Sequence, residues 1–233
     1  MSLAIVYSRA RLGMDAPLVT VEVHLSNGLP SLSIVGLPET AVKESKDRVR
    51  GALLNTCFEF PARRITINLA PADLPKEGGR FDLPIALGIL AASGQIPRDE
   101  LDQYEFAGEL ALSGELRPVQ GVLPMTLQTQ RAQRTLLVPQ DNAAEAALVR
   151  DVRVLAADHL LQVTAHFTRM QRIEAEPATA VNSAAEDVPD LSDVRGQAHA
   201  RRALEIAASG GHSLLMLGPP GTGKSLLASR LPG

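Results

Sequence analysis

Apolar and polar residues alternate along several short segments of this chain, a pattern typical of half-buried β-strands. One such segment covers residues 18–25; an Asn-Gly turn follows it, and the alternation resumes at Ser31–Val35. Because the turn is short and contains Asn-Gly, we predict that these two strands pair as a hairpin. The same pattern predicts further strands at residues 64–69, 106–112, Thr135–Pro139 and 152–155.

Segments with helical spacing of apolar residues lie between these strands. Residues 39–55 have apolar side chains with charged residues between them, which predicts an amphipathic helix. Asp82–Ser93 is rich in Ala and Leu and predicts a buried helix, and two further helices are predicted at residues 122–134 and 157–167. The mixture predicts an α/β (α+β) fold for residues 1–170.

The composition changes after residue 173. Residues 174–190 contain five acidic residues, two prolines and no basic residue. Such a stretch buries too little apolar area to offset the entropy lost on ordering, so we predict a linker over residues 171–190. It separates a first domain, residues 1–170, from a second block, residues 191–233, in which a helix is predicted at residues 197–208.

Composition excludes several classes of site. Aromatic residues make up 3% of the 233 residues and Trp is absent, which argues against a surface that binds bases by stacking. The net charge of −3 gives no global attraction to nucleic acid or to anionic membranes. The single cysteine, Cys57, excludes an internal disulfide and a cysteine-based zinc site; beside two phenylalanines, it is expected to be buried.

No apolar segment reaches the roughly 18–20 residues that a membrane-spanning helix needs. The first residues also lack the basic start and the longer apolar stretch of a secretory signal. We therefore expect a cytoplasmic protein with no membrane partner.

The motif that carries chemistry is Gly218-Pro-Pro-Gly-Thr-Gly-Lys-Ser225, which matches the phosphate-binding P-loop. An apolar run at residues 214–217 predicts the preceding strand, and residues 226–231 predict the following helix. Gly218, Gly221 and Gly223 permit backbone conformations and close approaches that a Cβ atom would forbid. The N–H groups of the loop can then converge on the phosphates of a nucleotide, which we expect to be ATP.

Each side chain of this motif has an expected role. The Lys224 ammonium is expected on the β and γ phosphates, and the Ser225 hydroxyl on Mg²⁺, which takes oxygen ligands. Ser225 is the only metal ligand that we predict. The predicted nucleotide-binding residues of the loop are Gly218, Pro219, Pro220, Gly221, Thr222, Gly223, Lys224, Ser225 and Leu226.

Two segments of the first block, residues 75–89 and 108–121, resemble the Lon protease domain. Lon-type proteases use a serine nucleophile and a lysine base, and the resemblance places these two residues at about Arg80 and Leu123. Neither residue type is present there. A nucleophile needs its activating base, so we expect no peptidase activity and assign no catalytic residue.

Several segments together resemble the ComM (YifB) family of magnesium chelatase-like AAA+ ATPases; they are residues 1–10, 32–38, 42–50, 67–76 and 193–197. The resemblance implies a Lon-like, ribosomal S5 domain 2-like fold at residues 1–170 and an AAA+ module that begins at residue 191. It also implies that Val194 and Gly196 help to enclose the adenine. Members of the family are similar to homo-hexamers that move along DNA, and ComM is associated with branch migration during natural transformation.

An AAA+ ATPase also needs an acidic pair, sensor residues and an arginine finger, and these follow the P-loop in the family. None lies within residues 191–233, so we expect the chain as given to bind ATP weakly and not to hydrolyse it. The leading hypothesis is part of a DNA-translocating ATPase whose partner is single-stranded or branched DNA. The alternatives are an ATP-driven chaperone or protease subunit, a magnesium chelatase subunit, and a non-enzymatic scaffold.

Overall fold

The computed structural model describes residues 2–13, 15–36, 40–177 and 189–231. The chain clusters into two units, Met1–Ala180 and Val181–Gly233. The strands of the larger unit are β1 Ser2–Arg9, β2 Leu18–Ser26, β3 Ser31–Val35, β4 Arg64–Ala70, β5 Tyr104–Phe106, β6 Glu109–Leu110, β7 Leu116–Arg117, β8 Thr135–Pro139 and β9 Val154–Ala157. Its helices are α1 Thr40–Asn55, α2 Asp82–Ser93, α3 Val122–Arg131, α4 Ala143–Ala146 and α5 Leu160–Phe167.

Seven strands form one mixed sheet in the order β3-β4-β2-β1-β5-β8-β9. The pairs β1–β2 and β2–β4 are antiparallel, and the other four pairs are parallel. Strands β6 and β7 form a separate antiparallel ribbon. The mainly parallel sheet with helices between its strands confirms the predicted α/β class.

The predicted hairpin is wrong. Strand β2 pairs with β1 and β4, while β3 pairs in parallel with the far side of β4. The Asn-Gly turn reverses the chain as expected, but a turn signal does not determine which strand lies alongside. Strand β4 carries Ile65, Ile67 and Leu69, all fully buried, and it takes the position between the two strands.

Strand β1 was not predicted, although it lies at the centre of the sheet between β2 and β5. Its inward residues Ala4 and Val6 are buried, and its outward residues Leu3 and Ile5 are exposed. Because both sets are apolar, the segment lacks the apolar–polar alternation that identifies a half-buried strand.

The main core lies on the face of the sheet that α1 and α2 cover. Every residue of α2 from Asp82 to Ala92 is buried, as the sequence predicted for this helix. A Cβ atom on Gly88 would lie 2.5 Å from the Val23 side chain, so this glycine allows α2 to approach β2 closely. A second cluster, which includes Val122 and Met125 of α3, covers the half of the sheet formed by β8 and β9.

Cys57 is exposed, so its predicted burial is wrong. It lies two residues after the end of α1 with φ +62°, and its N–H donates to the Leu54 carbonyl at 3.1 Å. The next N–H, that of Phe58, donates to the Leu53 carbonyl at 2.9 Å. These two bonds are those of a Schellman motif, which ends the helix and places Cys57 at the left-handed position with its side chain in solvent.

Four other elements differ in their bounds from the sequence predictions. The strand predicted at residues 106–112 is divided into β5 and β6, and α3 ends at Arg131 because Gln133 adopts φ +55°. Strand β9 lies two residues later than the strand predicted at residues 152–155, and α5 begins at Leu160 rather than at residue 157. His159 provides the reason, because its Nδ1 accepts a hydrogen bond from the Leu161 N–H at 3.1 Å and caps the helix.

The acidic segment at residues 171–190 is described only in part, since residues 178–188 lie outside the described residues. Ala175 forms a bridge with Leu155, and the Glu176 N–H donates to the Val154 carbonyl at 2.9 Å. The first part of the segment therefore lies along β9, and its role as a linker stays a prediction. Within the described ranges, no helix is long and apolar enough to cross a membrane.

Candidate nucleotide-binding site

The P-loop lies in the smaller unit, between helices α6, Ala198–Gly210, and α7, Lys224–Ala228. A small apolar cluster holds the two helices together; its buried members are Val194, Leu204 and Leu227. Helix α6 begins and ends close to the predicted bounds, and α7 ends three residues before the predicted end.

The apolar run at residues 214–217 does not form a strand, contrary to the prediction. A strand needs a hydrogen-bonded neighbour, and no described residue pairs with this backbone. Leu215 and Leu217 are 80% and 85% exposed, whereas Met216 packs partly against the apolar cluster.

Two glycines with positive φ and one side-chain hydrogen bond form the turn of the loop. Gly221 and Gly223 adopt φ +82° and +84°, a region that disfavours residues with a Cβ atom. The Thr222 hydroxyl donates to the Pro219 carbonyl at 2.9 Å and braces the turn. Pro220 lies exposed at the turn.

Lys224 lies against the inside of this loop. Its Nζ atom donates to the carbonyl oxygens of Gly218 and Pro219, each at 2.8 Å. The next residues, Ser225 and Leu226, are exposed in the first turn of α7. The loop therefore carries its one cation, Lys224, next to the exposed hydroxyl of Ser225.

A cavity of about 500 Å³ adjoins the loop within the smaller unit. Its walls include Ala200 and Ala203 of α6, the apolar run before the loop, and Lys224. A mainly apolar cavity with a cation in its wall can take a flat, weakly polar group that carries an anionic one.

The residues predicted to enclose the adenine occupy different environments. The Val194 side chain is 4% exposed and belongs to the apolar cluster, while Gly196 is exposed with φ +74°. Sequence reasoning missed the next residue, Gln197, whose Nε2 donates to the Thr222 carbonyl at 3.0 Å. This bond ties the start of α6 to the P-loop. The sequence feature that could have indicated Gln197 is its position at the end of the family motif at residues 193–197.

In the larger unit, Arg80 and Leu123 stand where the Lon resemblance implies a nucleophile and its base. Arg80 is 5% exposed, and its guanidinium donates to the carbonyls of Arg9 and Gln120. Burial lowers the pKa of Arg80 below its usual range. Leu123 donates its N–H to the Glu145 carboxylate at 2.9 Å. Neither side chain can act as a nucleophile or as a proton acceptor.

Both units of the chain contain a match to a known protein family. Residues 21–142 match the family model described as subunit ChlI of Mg-chelatase, and residues 190–233 match a second model, magnesium chelatase, subunit ChlI. The first match lies within the mainly parallel α/β unit, and the second covers the glycine-rich loop unit from residue 190 onwards. Together they place the chain in the magnesium chelatase-like class.

Individual relatives identify the family within this class. The chain is 57% identical to the competence protein ComM of Haemophilus influenzae and 54% identical to the protein YifB of Escherichia coli. These alignments cover 100% of this chain and 47% and 46% of the relatives. A Mycobacterium tuberculosis protein is 41% identical, again over 100% of this chain and 46% of the relative. The chain belongs to the ComM/YifB family and spans about half the length of the curated relatives it matches.

Proposed function

We propose that this chain binds ATP and Mg²⁺ through residues 218–225 and that it forms part of an AAA+ ATPase that acts on DNA. The observation that carries the proposal is the position of Lys224, whose ammonium lies 2.8 Å from two carbonyl oxygens of the loop. An ammonium held there is next to the N–H groups of a glycine-rich turn, and both attract phosphate.

The roles within the proposed site follow from chemistry. Lys224 contacts the β and γ phosphates, and the loop from Gly218 to Gly223, with Pro219, Pro220 and Thr222, surrounds them. Ser225 gives its hydroxyl to Mg²⁺, whose other ligands are phosphate oxygens and water. Leu226 follows in the helix, and the segment with Val194 and Gly196 lies beside the adenine. The Gln197 bond to Thr222 supports this placement, because it joins that segment to the loop.

The domain assignment is part of the proposal. Residues 1–170 form a Lon-like, ribosomal S5 domain 2-like domain, residues 171–190 a linker, and the AAA+ module begins at residue 191. The mixed sheet with α1 and α2 on one face supports a fold of this kind.

Action on DNA and assembly into a homo-hexamer in the cytoplasm are likewise proposed for a protein of the relatives' length. The support is the Haemophilus relative, which is named a competence protein, since competence is the capacity to take up DNA. ATP hydrolysis by a protein of that length should rise when branched DNA is added. A hydrolysis rate indifferent to DNA would contradict this part of the proposal.

Nucleotide binding can be tested on the 233-residue chain itself. A fluorescent ATP analogue is titrated against the parent chain and against Lys224→Ala, with Mg²⁺ present. Hydrogen bonds to charged groups contribute about 1.5–3 kcal/mol, so the variant should bind roughly 10- to 100-fold more weakly. Ser225→Ala should reduce the gain in affinity that Mg²⁺ gives.

Lys46→Ala is the matched control, because Lys46 lies on α1 in the larger unit. It should bind the analogue as the parent does. Equal affinity of Lys224→Ala and the parent, or equal weakening by both lysine variants, would refute the proposed site.

A further inference from the structure

Two adjoining cavities lie at the end of the larger unit's sheet where β2 ends and β4 begins. One, of about 510 Å³, is lined by Glu59, Arg63, Gln95 and Arg98 among others. The other, of about 310 Å³, is lined by residues that include His24 and Asn27. The two share Ser2, Leu25 and Arg63, and we call them together the Arg63 groove.

The groove carries positive charge that has no partner. Arg63 lines both cavities, and the next residue, Arg64, is exposed beside them, with its Nε 3.8 Å from a Cβ atom built on Gly28. Neither arginine side chain makes an ion pair or hydrogen bond with any residue in the described ranges. In contrast, Arg9 and Arg134 are both paired with Glu105. Glu59 is the only acidic residue among the described residues that line the groove. The local charge is therefore positive although the chain as a whole is acidic.

Arg98 adds a fixed guanidinium to the same groove. Its Nε donates to the Ala91 carbonyl at 2.8 Å, Nη2 to Ala92 at 3.1 Å and Nη1 to Leu3 at 3.1 Å. These bonds hold it at the C-terminal end of α2. They use three of the five N–H groups of an arginine, so two remain for an anion. A planar guanidinium with two such donors suits phosphate better than an ammonium does.

We infer that the Arg63 groove binds the phosphodiester backbone of a nucleic-acid strand, with Arg63 and Arg98 as the cations that line it and Arg64 beside them. The inference rests on the proposed action on DNA and names the part of the chain that holds the strand. Among the described residues, none that lines the groove has an aromatic ring, so the bases are not stacked by the protein and binding is indifferent to base sequence. A free phosphate shares this chemistry, and the experiment below separates it from a strand.

The test is the salt dependence of binding. Fluorescein-labelled oligothymidylate of about 20 nucleotides is titrated with the full 233-residue chain at several salt concentrations and followed by anisotropy. Each phosphate contact with single-stranded DNA contributes about 0.7 to the slope of log K against log salt. Arg63→Ala/Arg64→Ala should therefore reduce the slope by about 1.4 and weaken binding roughly tenfold at low salt. Arg63→Lys/Arg64→Lys, which keeps both charges, should recover most of the slope.

Arg131→Ala/Arg150→Ala is the matched control, because it removes two exposed arginines at the end of α3 and after α4. It should leave the slope and the affinity unchanged. The inference is overturned if the parent chain does not bind the oligonucleotide, if Arg63→Ala/Arg64→Ala keeps the parent's slope, or if both double variants lose affinity equally. Far-UV circular dichroism of each variant checks that the fold is retained.

Two further measurements distinguish failure of the proposed ATP site from failure of the groove, and a strand from a small anion. Lys224→Ala should bind the oligonucleotide like the parent chain, so loss of ATP binding and loss of strand binding are measured independently. Inorganic phosphate added at constant ionic strength should not displace the oligonucleotide, and affinity should rise from about 5 to about 20 nucleotides as more phosphates are contacted. Displacement by phosphate without any dependence on length would show a small-anion site and overturn the assignment to a strand.

Discussion

The buried carboxylate of Glu105 links four parts of the larger unit, and its loss should have a large, measurable effect on stability. Glu105 lies in β5 and is fully buried. It accepts hydrogen bonds from Arg9 at 2.6 and 2.8 Å, from the Thr129 hydroxyl at 2.6 Å and from Arg134 at 3.2 Å. The Arg9 side chain is only 8% exposed, so its charge depends on this partner.

Glu105→Gln keeps the size of the side chain and removes its charge. The buried guanidinium of Arg9 then has no anionic partner, and breaking a buried ion pair in this way costs about 3–5 kcal/mol. Because glutamine still offers one acceptor oxygen, we expect the lower end, about 3 kcal/mol. Domains of ordinary stability have about 5–15 kcal/mol in total, so the change should be easy to detect.

The assay is urea unfolding followed by circular dichroism, in which the midpoint should fall and the m-value should stay constant. Glu100→Gln is the control, since Glu100 pairs with two largely exposed arginines, and its midpoint should stay near that of the parent. Arg9→Met/Glu105→Leu should be less destabilised than Glu105→Gln, because the buried charge of Arg9 is removed as well, and the Arg134 guanidinium that loses its partner is 25% exposed. A loss below about 1 kcal/mol for Glu105→Gln would refute the reasoning.

Two further predictions concern pH and a close backbone approach. Burial, followed by nearby arginines, lowers the pKa of His166, whose Nδ1 accepts from the Ile173 N–H at 2.9 Å. The unfolded chain then binds more protons below about pH 6.5, so stability should fall as the pH drops from 6.5 towards 5. The urea midpoint of His166→Gln should not change with pH in this way. A midpoint that falls with pH as steeply in the variant as in the parent chain would contradict the prediction. A Cβ on Gly36, which has φ +99°, would lie 2.2 Å from the Leu69 carbonyl oxygen. Gly36→Ala should therefore lower the melting temperature more than Gly13→Ala, because a Cβ on Gly13 would have no atom within 4 Å. Equal losses in melting temperature would argue against the close contact.

The parts of the fold that could be predicted are those determined by local sequence. Ser31–Val35, Asp82–Ser93 and Thr135–Pro139 have the predicted bounds, because one face or the whole element is apolar over its length. Strand pairing is not local, and for this reason the turn after β2 gave a wrong partner. Strand β1 was missed for a related reason, since its outward Leu3 and Ile5 conceal the alternation.

The two candidate sites also differ in whether their residues are close together in the sequence. The P-loop is contiguous, so eight residues reveal both its position and its chemistry. The Arg63 groove joins side chains from residues 2 to 98, which no contiguous motif connects. The fixed position of Arg98 depends on carbonyls of α2 and β1, which no spacing rule indicates.

The environment of Arg80 gives a physical reason why we expect no peptide hydrolysis by the larger unit. A serine nucleophile needs an accessible hydroxyl and a neighbouring base. Here the position is taken by a guanidinium that is 5% exposed and joins the end of β1 to the segment before α3 through the carbonyls of Arg9 and Gln120. A serine is too short to make both bonds, so the two segments depend on the arginine. The Lon-like domain proposed above therefore uses this position for structure.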